Sequence, residues 1–217
     1  MLEQAGAEGL PLSKLLAILL GGGCAGQSAE GLAQTLMARY GTLRALDRAS
    51  FAELRSLRGI GRARAAQLKA AVEVGKRLLR ESAPAERSIT QASHAVRYVS
   101  AYYGAHLRDA QREHFCVVLL NRRNRPMRNV ELTRGTVSAS VVDAKEVARE
   151  GIVAGASAVL LVHNHPSGDP EPSPEDIRIT AEVETVCRTV GLELLDHVIV
   201  GRNLDALFSF RDVGLVK

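Results

Sequence analysis

The stretch SAVLLVHNHPSGDPEPSPED, from Ser157 to Asp176, decides how the second half of the chain is read. Its first six residues form a short apolar run of the kind a fully buried strand requires. His163 and His165 follow at a spacing of two, so on an extended chain both imidazoles project from the same side. The loop after them is stiffened by Pro166, Pro170, Pro172 and Pro174. Ser173-Pro174-Glu175-Asp176 is a helix start, with an N-cap serine, a proline at the first helical position and acidic groups in the first turn. Two neutral imidazoles and one returning carboxylate suit Zn2+ and leave a fourth tetrahedral position for water, whose pKa such a site lowers toward ~7. Asp176 is the best placed carboxylate and Asp169 is its rival. Helix capping alone explains Ser173 and Asp176, but not two histidines at the mouth of a strand.

Elements read outward from this stretch alternate between strand and helix. Upstream lie a helix around His94 to Tyr103, a buried strand Phe115 to Leu120, a turn Asn121 to Arg125, a strand including Asn129 to Leu132, and a helix of roughly Ala144 to Ala154. Downstream, a helix ends at Gly191, Leu192 to Val200 makes a strand and Ala206 to Phe210 a short final one. This order predicts a three-layer α/β domain over residues 89–217, with a mixed sheet because its first connection is short enough for a hairpin.

The first 81 residues read differently, as a small all-α domain. Leucines at 12, 15, 16, 19 and 20 recur at helical spacing until Gly21-Gly22-Gly23, and Ser28 caps a second helix that Gly41 stops. A short helix Ala52 to Leu57 then meets Gly59-Ile60-Gly61, and a longer one runs to about Arg80. Residues 82–88, which carry Pro84 and no apolar period, are expected to be the linker.

Composition narrows the classes that remain. With 217 residues, 46% hydrophobic and 24% charged, the chain has an ordinary globular balance and length enough for a core without staples. Cys24, Cys116 and Cys187 are scattered and odd in number, which argues against a disulfide framework and a cysteine zinc site and fits a reducing cytoplasm. Cys116 and Cys187 read as small buried hydrophobes. No run approaches 18 apolar residues, and MLEQAGAEGL lacks a basic start before an apolar run, so neither a membrane span nor a secretory signal is expected. The net charge of +4 is uneven. Residues 1–88 hold 13 Lys and Arg against 8 Asp and Glu, a net +5, whereas residues 89–217 hold 15 against 16, a net −1.

The order His163-x-His165, seven residues, Ser173, two residues, Asp176 resembles the H-x-H-x7-S-x2-D signature of the JAMM/MPN metalloproteases. The wording HNHPSGDPEPS, the upstream Thr133-Arg134-Gly135-Thr136 and the downstream Gly191-Leu192-Glu193-Leu194-Leu195-Asp196-His197 are similar to the bacterial RadC family, in which this domain follows a helical segment with GIG. The resemblance spans nearly the whole chain. It implies a deaminase-like fold, one zinc held by His163, His165 and Asp176, and Ser173 placed to stabilise an oxyanion. It implies also a glutamate at the edge of the first core strand that holds the metal's water and serves as general base. Glu113 fills that position and Glu131 is the rival; Glu146 and Glu150 read as exposed helix residues. The activity implied is hydrolysis of an amide or isopeptide bond in a peptide or protein. Cytidine deamination is disfavoured because its His/Cys/Cys ligands and P-C-x-x-C are missing. His197, in an apolar strand, reads as a hydrogen-bonded structural residue, and His94 and His106 as surface residues.

Leu57-Arg58-Gly59-Ile60-Gly61-Arg62-Ala63-Arg64 resembles a helix-hairpin-helix. Such a module brings backbone N–H groups of the turn and the following helix N-terminus to a phosphate, so Gly59, Gly61, Arg62 and Arg64 are the expected nucleic-acid contacts. The alternative function is therefore DNA binding through the helical part, with the α/β domain as an idle scaffold. Arg122, Arg123, Arg125 and Arg128 make a second basic patch that either extends such a track or is a solvated turn.

Overall fold

The computed structural model describes residues 6–81, 88–134, 142–202 and 206–216. Its contacts divide the chain into two compact units, Met1–Leu78 and Leu79–Lys217. Of the expected linker, only Ser88 lies among the described residues. No helix among these residues is long and apolar enough to cross a membrane, and none of their cysteines is in a disulfide.

The first unit contains helices α1 (Leu12–Leu20), α2 (Ala29–Tyr40), α3 (Leu43–Arg48) and α4 (Phe51–Arg55), and begins α5 (Arg62–Glu81). The Ser28 side chain accepts from the Gly31 amide at the start of α2, and Ser50 and Glu53 close a capping box on α4. Helix α3 was not expected from the sequence. Thr42 caps it by accepting from the Ala45 amide, and it is held through one buried side chain, Leu46, too few positions to display a period. Leu16, Leu20, Leu32, Leu36, Leu54, Ile60 and Leu68 form the shared core. The hairpin between α4 and α5 thus turns Ile60 inward.

In the second unit the sheet order is β2-β1-β3-β4-β5, with β1 (His114–Leu120), β2 (Pro126–Arg134), β3 (Ala158–Asn164), β4 (Glu193–Val200) and β5 (Leu207–Ser209). β1 is antiparallel to both β2 and β3, β3 runs parallel to β4, and β5 returns antiparallel, so the sheet is mixed. The β3–β4 crossover carries α8 (Pro174–Thr189); α7 (Ala144–Val153) precedes β3 and α6 (Ala92–Leu107) precedes β1.

β1 and β3 are buried on both faces, which is why they read as unbroken apolar runs. Phe115, Val117, Leu119, Val159 and Leu161 pack with α7 and α8 through Val147, Ile179, Val183 and Cys187. Their neighbours Cys116, Val118, Leu120, Leu160 and Val162 pack with Val99, Tyr103 and Leu107 of α6 on the other face. Three layers result. Burial pushes the Cys187 thiol up to about 11, as suits a residue of the core.

A register shift in the β3–β4 pairing makes Val159 face Leu194 and the next residue, Leu160, face Asp196. The extra residue changes the parity of β4, so that Leu194 and Ile199 share one face although five residues apart. The buried Asp196 carboxylate closes this bulge, accepting from the amides of His197 and Arg211 and from the Ser209 hydroxyl. His197 is thereby turned toward the α7–α8 face.

Candidate metal centre

Strand parity places the first imidazole. His163 continues the face of Val159 and Leu161 and pairs across to Phe115 on β1. Its ring is wholly buried and stacks on that of Phe115 at 5.6 Å. Past the end of β3 the loop turns at His165, where Gly168 amide donates to the His165 carbonyl. Gly168 adopts φ +89 there, and a Cβ would meet Arg202 at 2.6 Å, so glycine is required by both backbone and space. The loop then enters α8, where Ser173 and Asp176 form a reciprocal capping box behind Pro174.

Three groups converge at this point. His163 Nε2 lies 3.0 Å from His165 Nε2 and 3.1 Å from Asp176 Oδ1, and His165 Nε2 lies 3.3 Å from Asp176 Oδ2. These three are the group among the described residues able to share a metal ion. Tetrahedral zinc with ligands at about 2.0–2.1 Å separates any two of them by about 3.3–3.4 Å, close to the distances found.

The hydrogen bonds around the rings fix where their protons are. His165 Nδ1 is 2.8 Å from the Asp169 carbonyl, which only accepts, so Nδ1 carries the proton and Nε2 the lone pair. Asp169 therefore acts through its main chain; its carboxylate accepts from the Glu171 amide and is not among the converging groups. His163 is oriented through a longer chain. The Thr180 hydroxyl donates to the Asp176 carbonyl and hence accepts from His197 Nδ1, 2.6 Å away. Neutral His197 then presents the Nε2 lone pair to His163 Nδ1 at 2.8 Å, leaving Nε2 of His163 unprotonated. Burial, reinforced by the neighbouring His163, holds His197 well below the usual histidine range and keeps it neutral.

Two nitrogen lone pairs and a carboxylate thus face one another with no proton of their own between them, an arrangement that calls for a cation. A proton supplies it in part: His165 is raised, first by its hydrogen bond to Asp176 and against the effect of burial, with Asp169 and the charge of Glu113 adding. Burial raises the Asp176 carboxyl, but the adjoining His163 and His165, where a proton shared with the carboxylate would sit, and the Ser173 hydroxyl outweigh it and hold the group well below the carboxylate range.

The two glutamates considered as base lie on opposite faces. Glu113 joins His165, Ser173, Glu175 and Asp176 in a cleft of about 260 Å³ whose apolar wall is Phe115, Val142 and Ile179. Glu131 instead meets Nδ1 of His114, a residue of the opposite strand parity, on the α6 side of the sheet. Ser173, expected to aim at an oxyanion, lines the cleft but gives its single hydroxyl proton to Asp176 Oδ2 at 2.6 Å. Its observed contact holds the carboxylate.

Other sequence expectations are modified. His94 and His106 are half-buried on α6, and His106 sets its ring edge-on to His114 at 5.2 Å. Glu150 is not exposed, because it folds down against Arg149 and reaches Arg128 at 3.8 Å. Arg122, Arg123, Arg125 and Arg128 are exposed on the β1–β2 hairpin. In the helical unit Gly61 and Arg62 are exposed, while Gly59 faces inward against Leu32 and Cys24. Arg64 corrects the expected phosphate contacts: its guanidinium is taken up by the carbonyls of Leu20, Gly22, Gly23 and Gly59. Sequence reasoning did not single out Thr180 or Asn164. The signal for Asn164 was available, since a carboxamide within a buried apolar strand must find partners.

Residues 89–215 match the family model described as RadC-like JAB domain, and residues 1–66 match that described as UPF0758 N-terminal. A UPF0758 protein of Coprothermobacter proteolyticus is 43% identical over 203 residues, covering 94% of this chain and 86% of its own length. UPF0758 proteins of a Marinomonas species and of Thioalkalivibrio sulfidiphilus are 41% and 40% identical over 215 residues, each covering 99% of this chain and 93% of their own. The JAB-domain match takes in the whole of the second unit's described sheet, including the three converging residues, and with the helical match leaves little of the chain outside: the chain belongs to the RadC family, with a UPF0758 N-terminal region ahead of its RadC-like JAB domain.

Proposed function

We propose that the chain is a zinc-dependent hydrolase of amide or isopeptide bonds in a peptide or protein. The observation that carries the reading is the convergence of His163 Nε2, His165 Nε2 and Asp176 within 3.0–3.3 Å, with both Nδ1 protons already donated elsewhere. His163, His165 and Asp176 would hold the ion, which when bound supplies Lewis acidity that makes water acidic near neutral pH and polarises a scissile carbonyl. Glu113, on the same cleft, takes the proton of the attacking water and delivers it to the leaving nitrogen. Phe115, Val142 and Ile179 exclude solvent from one side of the reacting group. Ser173 keeps the Asp176 carboxylate in place. Three scattered cysteines, Cys24, Cys116 and Cys187, none of them in a disulfide, suit a reducing cytoplasm as its location.

Metal analysis under non-chelating purification tests the reading: about one zinc per chain is expected, as three ligands with an open position require, and His163→Ala should lose it. Glu113→Gln should keep the zinc and lose cleavage of amide and isopeptide substrates. Protein that contains no zinc and takes up none sinks the proposal.

A second reading concerns the helical unit. Gly61 and Arg62 are exposed at the start of α5 beside exposed Arg58, the surface through which a helix-hairpin-helix approaches a phosphate backbone. Arg58→Glu/Arg62→Glu should then abolish a salt-sensitive DNA association of the full chain; unchanged binding removes the hairpin's role. Wild-type protein that binds DNA but no zinc would favour a DNA-binding protein with an idle JAB scaffold.

A further inference from the structure

Asn164 stands between the two histidines yet belongs to neither their face nor their cluster. Its main chain pairs with Val200 on β4. Its side chain is 1% exposed and points the other way, toward the approach to β1. There Oδ1 accepts from the His114 amide at 3.0 Å and Nδ2 donates to the Arg112 carbonyl at 3.1 Å. The orientation of the carboxamide is unambiguous, because an amide N–H only donates and a carbonyl only accepts. These two groups flank a single residue, Glu113.

The β1–β3 ladder ends at Phe115 opposite His163, so no strand pairing reaches Glu113. The Asn164 carboxamide continues that ladder by one further step with a side chain. It fixes the peptide on each side of Glu113 and thus the direction in which the carboxylate leaves the chain. The same residue is covalently bonded to both His163 and His165. The geometry points to Asn164 as the positioning residue that holds Glu113 in register with the ligand-bearing end of β3. This rests on the metallohydrolase reading. An aspartate here would lack the donor for Arg112 and bury a charge, and a serine has one proton and a shorter reach.

The test separates the metal from the carboxylate with two probes on zinc-loaded, full-length protein. Azide needs only an open metal position. Acetohydroxamate must in addition give its hydroxyl proton to a nearby carboxylate. Asn164→Ala and Asn164→Ser should keep one zinc per chain and wild-type azide affinity, and bind acetohydroxamate about ten-fold more weakly. In the Glu113→Gln background the same substitutions should weaken acetohydroxamate no further, since both act through one carboxylate. Unchanged acetohydroxamate affinity, losses that add to those of Glu113→Gln, or a parallel loss of azide and zinc would each overturn the assignment. So would failure of both variants to fold, which makes Asn164 a structural residue only. A wild-type chain that binds zinc while Asn164 proves uncoupled defeats this inference alone; a wild-type chain that binds no zinc defeats the metallohydrolase reading.

Discussion

Nδ1 of His163 lies 2.8 Å from Nε2 of His197, so the buried imidazole of the candidate metal site is oriented by a second imidazole rather than by a carboxylate. His197 is itself clamped, by Thr180 on one side and by the stacked ring of Phe210 at 4.7 Å on the other. Partners that orient a metal-binding histidine typically change metal affinity by about 10–100-fold when removed. His197→Ala should therefore weaken zinc binding by about that factor while leaving both His163 and His165 in the chain. Competition with a chromophoric chelator measures it. Retention of wild-type affinity would mean that the Phe115 stack alone orients His163.

His197 and His165 give a pH dependence to the stability of the metal-free protein. His197 is depressed by burial below its unfolded value of 6.5, so it must stay neutral to fold; stability falls as pH drops below 6.5, where the unfolded chain takes up the proton. His165 is raised above 6.5, chiefly by Asp176; its contribution is complete below 6.5 and is lost as pH rises through its folded value. The two slopes occupy different windows, each limited to about 1.4 kcal/mol per pH unit for one proton. Chemical denaturation from pH 5 to 8 should show wild type losing stability on both sides of about 6.5, with the acid limb reduced in His197→Gln and the alkaline limb reduced in His165→Gln. Identical profiles for all three proteins would contradict these assignments.

Strand parity and cap chemistry made much of this site legible in the sequence. His163 and His165 two apart behind an apolar run, and Ser173-Pro174-Glu175-Asp176 as a helix start, pointed to the residues that converge, with Asp169 left as a rival to Asp176. Parity was insufficient for β4, because the bulge before Asp196 is a property of its pairing with β3 and leaves no local trace in LELLDHVIV. His197 consequently read as a structural histidine, without the face it occupies. Arg64 shows the converse problem. It looks like a solvated cation in a basic run, and only the fold brings four carbonyls, three of them more than 40 residues away, to its guanidinium.

Ser173 should matter for metal holding before it matters for chemistry. Its hydroxyl donates to Asp176 Oδ2 at 2.6 Å and accepts from the Asp176 amide at 3.2 Å. Ser173→Ala removes both, with a loss of about 1 kcal/mol from the cap and a weakened zinc affinity of about ten-fold. Ser173→Thr keeps the hydroxyl and should restore most of both. Thermal melts with and without zinc, together with a zinc titration, measure the two effects. If Ser173→Ala binds zinc as wild type does but loses turnover, the hydroxyl acts on the substrate instead.

Gly59 and Gly61 stand two apart in the hairpin, but the fold itself requires only Gly59. Gly59 adopts φ +83, and a Cβ there would sit 2.5 Å from Leu32 Cδ2 and 2.8 Å from Cys24 Sγ. Gly59→Ala therefore combines left-handed strain of about 1 kcal/mol with overpacking of about 1–3 kcal/mol. Gly61 has open space around its Cα and a φ outside the left-handed region. Gly61→Ala should change stability by less than about 1 kcal/mol, because the new methyl meets nothing and the unfolded chain loses freedom. Calorimetry of the full-length protein, following the transition of the helical unit, should show Gly59→Ala melting well below wild type and Gly61→Ala close to it. Because Gly61→Ala keeps the fold, any loss of DNA association in that variant reports the close approach of a phosphate to the turn. Equal destabilisation by the two substitutions would show instead that the hairpin needs both glycines for its own backbone.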